Sequence, residues 1–263
     1  MPKFFRDNGR KEPSTRLGTI TACAQGEPGA TVWELTMRDP ARTQAFMQAM
    51  QVLEAGYPFS GTYSLSWVVD RVAADPARKL FVDVGGSAGH ALKAVLRETP
   101  GLDPARCVLQ DLPQVVERVR AAADEGLKGV ELVALDFHTE QPVKGPSSRP
   151  LTPRAAIADP RLGAFVYYIR RCLHDYGDDE CVGILRVIRD AMADDSRLLV
   201  VEQILDNPPK PLQAAIDIYM ATISGKERSE QGFRKIAEAA GLRLVKVWKA
   251  QGADAGVVEL AKA

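Results

Sequence analysis

The stretch Phe81-Val82-Asp83-Val84-Gly85-Gly86-Ser87-Ala88-Gly89-His90 constrains this chain more than any other part. A run from Leu80 to Val84, apolar except for Asp83, gives way to three glycines within five positions, and a helix-forming run follows from Ala91 to Arg97. The pattern predicts a strand, a tight turn and a helix N-terminus. That geometry lets a backbone come close to a nucleotide-like ligand.

The dinucleotide fingerprint Gly-x-Gly-x-x-Gly would need a glycine where this chain has Val84. The turn therefore lacks the residue that opens a pyrophosphate loop, and Asp83 beside it would repel a phosphate. A carboxylate near a glycine turn suits a ligand with positive charge and no phosphate. S-adenosyl-L-methionine, with its ammonium and sulfonium, is such a ligand. The plain alternative is an ordinary strand-to-helix turn that binds nothing.

A chain of 263 residues suits one large domain, or a domain with an extra segment. Lys plus Arg and Asp plus Glu number 34 each, so no overall field would draw nucleic acid or an anionic membrane. No apolar run approaches the length of a membrane span, and the charged stretch Met1 to Pro13 lacks the apolar core of a signal peptide. Cys23, Cys107, Cys172 and Cys181 are scattered with no Cys-x-x-Cys pair. Free thiols in a reducing, cytoplasmic setting are expected, and no metal site.

Residues 1–30 are polar and show little periodicity. A helix is predicted from Asp39 to Glu54, capped by Asp39, opened by Pro40 and striped by Phe46, Met47, Met50 and Leu53. A second helix is predicted over Leu65 to Ala73. Strands and helices then alternate: strands at Leu80–Val84, Cys107–Gln110, Val130–Leu135, Phe165–Ile169, Leu198–Ile204, Leu244–Trp248 and Val257–Leu260, and helices at Gln114–Ala123, Asp178–Met192 and Ser229–Ala240. Such alternation predicts an α/β fold, a doubly wound, mostly parallel sheet with helices on both faces and a ligand beyond the carboxyl ends of the strands. Residues 1–75 form an N-terminal segment with linker helices and 76–263 the ligand-binding domain. Val143 to Gly163, rich in Pro, Arg and Ser, is an irregular insertion between two central strands.

Asp83, Asp111 and Asp136 recur at strand ends, where all three would line one crevice. Asp111 follows the glycine turn at a distance where a carboxylate can accept ribose hydroxyls. Asp136 and Phe137 offer an acceptor and an apolar face to an adenine. Taken singly, each Asp is equally a turn or cap residue. His174, in the loop after the fourth strand, sits at the same edge, and an imidazole with a pKa of about 6.5 is a competent base at neutral pH. The bland reading is a surface cap for the helix that follows. His90 and His138 read as structural.

The segments VDVGGSAGH, QDLP, LDF, YYIRRCLHDYGDDEC, LLVVEQIL, DIYM and SGKERSEQGF, in that order, resemble the plant and fungal S-adenosylmethionine-dependent O-methyltransferases, from about Pro13 to the C-terminus. Arg170-Arg171 ahead of the histidine is more like fungal members. The resemblance implies a Rossmann-like class I methyltransferase fold with a seven-stranded sheet, acting on a phenolic or polyketide-like hydroxyl of a small molecule. It implies that Gly85, Gly86 and Gly89 with Asp83 surround the methionine portion of the cofactor. Asp111 and Leu112 would take the ribose, and Asp136 and Phe137 the adenine. Arg170 stands where many plant members have a cofactor-contacting Lys. His174 matches the catalytic base, Glu202 and Glu227 the two acids that frame it, and Asp175, Asp217 and Met220 the acceptor side. Members form homodimers through a helical, winged-helix-like domain ahead of the region matching Met1, which this sequence lacks. The expectation is a monomer with an exposed apolar face, and the alternative function is a truncated, inactive methyltransferase-fold binding protein. An NAD(P)-dependent oxidoreductase is a further alternative, opposed by Val84 and by the lack of a Tyr-x-x-x-Lys pair.

Overall fold

The computed structural model of the protein describes residues 1–11, 13–55, 63–71, 75–143, 163–249 and 253–263. The N-terminal segment carries helices α1 (Pro2–Asp7), α2 (Ile20–Ala24), α3 (Val32–Arg38) and α4 (Pro40–Ala55), followed by α5 (Ser66–Asp70). The start of α4 obeys its sequence signal: Asp39 Oδ1 accepts the backbone N–H groups of Ala41 and Arg42 at 2.9 and 3.2 Å. The stripe Met47, Met50 and Leu53 falls on side chains outside the described residues. Helix α5 ends at Asp70, short of the expected Ala73, and 72–74 are likewise outside.

Strand β1 (Phe81–Val84), helix α6 (His90–Glu98), strand β2 (Cys107–Asp111), helix α7 (Pro113–Ala122) and strand β3 (Glu131–Ala134) then alternate as the periodicity predicts. Strand β4 (Val166–Arg170), helix α8 (Asp178–Ala191), strand β5 (Arg197–Leu205), helix α9 (Pro211–Ala221), strand β6 (Arg228–Ser229), helix α10 (Glu230–Ala239) and strands β7 (Leu242–Lys249) and β8 (Ala255–Lys262) complete the chain. All of the expected insertion Val143 to Gly163 except its two end residues lies outside the described residues.

The strands form one sheet in the order β3-β2-β1-β4-β5-β8-β7. The first five run parallel and β8 is antiparallel to both its neighbours. This path holds the seven strands expected from the sequence; among the described residues one more, two-residue β6, lies off it and pairs with Ile204 and Leu205 of β5. So short a strand leaves no alternation to read in the sequence.

Alternate strand residues feed two cores, as the pleat requires. Val82, Val84, Tyr167, Ile169, Leu198 and Val200 pack on one face with Ile184, Leu185 and Ile188 of α8 and Phe233 and Ile236 of α10. Phe81, Leu109, Val166, Tyr168, Leu199 and Val201 pack on the other with Val68 of α5 and Leu92 and Val95 of α6. A sheet covered on both faces explains why the inner strands β1, β2, β4 and β5 are buried almost throughout, while the edge strands β3 and β7 are part exposed. Among the described residues no helix is long and apolar enough to cross a membrane, and all four cysteines are free thiols.

At the edge opposite the glycine loop, buried Arg78 binds the starts of β4 and β5 together. Its guanidinium donates to the Ala164 carbonyl at 3.3 Å, to Ser196 Oγ at 3.2 Å and to both oxygens of Asp195 at 2.9 and 2.7 Å. The same group lies 3.8 Å from the centre of the Phe165 ring. Asp195 is half exposed and adds little by itself; the buried carbonyl and hydroxyl set the cost of losing the donor. Replacing Arg78 by Met should lower unfolding free energy by about 2–4 kcal/mol in urea denaturation. A change below about 0.5 kcal/mol would show that water takes over these contacts.

Candidate active site

The parallel strands β3, β2, β1, β4 and β5 lie side by side, so their carboxyl ends share one edge. Residues far apart in sequence meet there. The glycine turn after β1 folds back on β2, the Gln110 carbonyl accepting the N–H groups of both Gly85 and Gly86 at 2.8 and 3.0 Å. Gly85 and Gly89 have φ of +72° and +73°, a region that suits glycine. A Cβ on Gly86 would stand 2.6 Å from Asp83 Oδ2, and one on Gly85 would stand 2.9 Å from Cys172 Sγ and 3.4 Å from the Phe137 ring. The turn is thus a backbone cradle, with the Asp83 carboxylate beneath it and Phe137 beside it.

Asp111 closes β2. Its Oδ2 accepts the Ser87 N–H at 2.8 Å and its Oδ1 the Leu112 N–H at 2.7 Å. Burial raises its pKa and these two backbone donors oppose the rise. Each carboxylate oxygen keeps a second lone pair for a hydroxyl. Asp136 accepts the His138 N–H at 3.0 Å, which turns Phe137 and His138 toward Tyr176. The Phe137 and His138 rings lie 6.0 and 4.8 Å from the Tyr176 ring. Instead of standing apart, His138 joins this aromatic wall, and burial lowers its pKa. Arg170 closes β4 in register with Val201.

The residues expected for S-adenosylmethionine therefore come together. A glycine cradle that a side chain would fill and three carboxylates at one strand edge fit a cationic, phosphate-free cofactor. Asp83, Gly85, Gly86 and Gly89 would hold its amino-acid end, Asp111 the ribose, and Asp136 with Phe137 the adenine.

His174 lies in a short 3-10 turn, Leu173–Asp175, just after β4. Its Nδ1 is 2.9 Å from Glu227 Oε1 and 3.7 Å from Glu202 Oε2, while Nε2 is 3.6 Å from Asp175 Oδ1, beyond hydrogen-bond length. Glu202, on β5 and fully buried, uses Oε1 to accept the N–H groups of Cys172 and Leu173, each at 3.0 Å. Burial opposes a charge on His174, but Glu202, Asp175 and Glu227 outweigh it and lift its pKa to about 9. The expectation of an imidazole near its ordinary value is corrected accordingly; the carboxylates that meet here come from separate elements. Burial raises Asp175 in turn, to about 6, although His174 opposes the rise.

His174, Glu202 and Glu227 are also the group of metal-capable side chains found among the described residues, their ligand atoms within 4.8 Å of one another. A tetrahedral zinc site with bonds of about 2.0–2.1 Å would space its ligands about 3.3 Å apart. The 2.9 Å between Nδ1 and Glu227 Oε1 is instead a hydrogen-bond length.

Several supports were not read from the sequence. The Asp217 carboxylate, expected on the acceptor side, accepts the Glu227 N–H at 2.8 Å and so fixes the loop that carries this acid. Met220 is buried near the end of the same helix, α9. Gly225 lies against the His174 turn: a Cβ there would clash with the His174 carbonyl oxygen. Lys226 N–H donates to that same oxygen at 2.9 Å. The signal was a glycine two residues before Glu227, and only the close approach of two loops gives it meaning. The N-terminal segment reaches the same place, with Thr21 Oγ1 donating to the Thr222 carbonyl at 3.0 Å and Arg16 N–H to Glu180 at 3.2 Å.

Comparisons with known proteins show the family. Residues 23–145 and 158–243 match the O-methyltransferase domain family. Methyltransferase fsa4 of Fusarium sp. (strain FN080326) is 36% identical over 260 residues, covering 98% of this chain and 67% of its own length. O-methyltransferase hmp5 of Hypomyces subiculosus is 30% identical over 270 residues, covering 98% of this chain and 61% of its own. Among solved structures, OxaC in complex with SAH and oxaline superposes with a TM-score of 0.83 at 27% identity, over 100% of this chain and 61% of that one. The chain thus spans about two thirds of the length of these relatives. The oxidoreductase reading is overturned by the family match. The chain belongs to the S-adenosylmethionine-dependent O-methyltransferase family.

Proposed function

We propose that the protein transfers a methyl group from S-adenosylmethionine to a hydroxyl oxygen of a small-molecule secondary metabolite of phenolic or polyketide type, with His174 as the general base. One observation carries the reading: the contact of His174 Nδ1 with Glu227 at 2.9 Å, which leaves Nε2, 3.6 Å from Asp175 Oδ1, as the ring nitrogen to take a proton. Relatives support a small-molecule acceptor and transfer to oxygen, since OxaC is solved in complex with SAH and oxaline and hmp5 is an O-methyltransferase.

The bound cofactor supplies a methyl carbon already activated by a sulfonium. The chain must then hold the acceptor oxygen near that carbon and remove its proton. Proton transfer to Nε2 leaves an imidazolium, and Glu227 stabilises it from the Nδ1 side as the orienting acid does in a catalytic triad. Glu202 adds a second negative charge 3.7 Å away. The lifted pKa matches the acceptor, because a phenol ionises near about 10 and a weaker base would take its proton uphill. The same lift leaves about 1% of the imidazole neutral at pH 7.

The sign of the pH dependence follows. Only the neutral ring accepts a proton, so kcat/KM should rise about tenfold per unit from pH 7 and level off above about pH 9, in line with the His174 value. His174→Ala should lower kcat by about 10²–10⁴ with SAH affinity nearly unchanged, and Glu227→Gln by less. A rate that levels off near about pH 6.5, the ordinary histidine value, or wild-type turnover in His174→Ala, would remove His174 from the role.

Cofactor binding has a separate test. Two hydroxyl hydrogen bonds to a charged acceptor contribute about 1.5–3 kcal/mol each. Asp111→Ala should therefore weaken SAH binding tenfold or more in isothermal titration calorimetry. Unchanged affinity would take Asp111 out of the site.

A further inference from the structure

Glu227 and Arg228 are neighbours in the chain, and their side chains reach the same turn from two directions. Glu227 meets the imidazole of His174. Arg228, only 4% exposed, meets the backbone of that turn. Its Nη1 donates to the Leu173 carbonyl at 3.0 Å and its Nη2 to the Tyr176 carbonyl at 2.8 Å. These are the carbonyl of the turn's first residue and that of the residue just after it, Leu173–Asp175 being the turn itself. Nε and Nη2 also donate to Asp178 Oδ1 at 3.1 and 3.0 Å, which fixes the plane of the guanidinium. The backbone of Arg228 pairs with Ile204 of β5, two residues past Glu202.

We propose that Arg228 is a positioning residue for the methyl-transfer base, its planar fork spanning both carbonyls so that His174 meets Glu227 and Glu202 in one fixed orientation. The inference rests on the reading of His174 as the base. Its physical content is geometric. A 3-10 turn of three residues has poor internal hydrogen bonding and does not hold a side chain still by itself. Two charge-assisted bonds from one rigid group fix the direction of its backbone. An ordinary, half-buried ion pair with Asp178 would predict a loss of stability and nothing more.

Arg228→Lys separates the two, because it keeps the charge and loses the fork. The groups that face the imidazole are Glu202 from β5, Glu227 from the loop before β6 and Asp175 from its own turn. None of these carboxylates is altered by the substitution. With Arg228→Lys, kcat should fall tenfold or more while SAH affinity stays within about twofold. In ¹⁵N-histidine NMR, the proton affinity of His174 should fall about tenfold as Glu227 loses its alignment. Only His90 and His138 share that spectrum. Wild-type kcat together with an unchanged His174 titration would overturn the proposal, whatever happens to Tm. If Arg228→Lys does not fold, Asp178→Asn frees the guanidinium plane more gently. It should move kcat and the titration the same way by a smaller factor, and no movement in either would overturn the assignment. The NMR titration needs no turnover. A protein that methylates no acceptor would therefore refute the proposed function while the Arg228 assignment is still decided.

Discussion

The Glu202 carboxylate joins the sheet to the chemistry. It is fully buried in the middle of β5, where an isolated charge would be costly. One oxygen is stabilised by two backbone N–H groups from the turn after β4, and the other faces His174. Burial raises its pKa, and the imidazole and the two N–H groups oppose that rise. The contact thus has two consequences at once. It closes the turn against the adjacent strand, and it makes a cation at position 174 favourable. A neutral residue of the same shape would keep at most the first.

Much of the rest follows from the parallel sheet. Five parallel strands put five carboxyl ends at one edge, so each strand delivers one piece of the site: Asp136 after β3, Asp111 from β2, Asp83 and the glycine turn from β1, His174 after β4 and Glu202 from β5. The closing antiparallel strand β8 supplies no site residue. It buries the far side of β5 through a ladder that pairs Glu202 with Gly256. Chemistry and scaffold are thereby divided along the sheet; of the strands that carry the candidate site, β1, β2, β4 and β5 are buried on both faces and the edge strand β3 is part exposed.

That division explains what could be read from the sequence. The alternation of apolar runs with helical stripes gave the order of elements, because burial on two faces leaves a continuous signal in strands such as Leu198–Ile204. Acidic residues at successive strand ends pointed to one crevice for the same reason. Other features depend on tertiary contact and leave no local mark. Strand β6 is two residues long and exists only because β5 offers an edge to it. Asp217 holds Glu227 through a backbone N–H, a link invisible without the loop's path. Gly225 reads as an ordinary loop glycine until the His174 carbonyl is found where its side chain would be. The proton affinity of His174 is the clearest case. Its sequence neighbours Leu173 and Asp175 supply only one of the three carboxylates that set it.

The signs of charge at this edge bear on selection. Asp83, Asp111 and Asp136 lie on the glycine-turn side and Glu202, Glu227 and Asp175 on the histidine side, with one imidazole between the last three. An edge lined in this way attracts a positive group more strongly than a neutral one, and low-dielectric surroundings sharpen the difference. A methyl donor carries its positive charge on sulfur before transfer and loses it afterwards. The same carboxylates that favour the donor therefore hold the spent product less firmly. Under the proposed mechanism His174 would gain a proton in the same step, which would partly neutralise its side of the edge. On the proposed reading, donor preference and release of product would share one electrostatic cause, the cluster of carboxylates that a parallel sheet gathers at its edge.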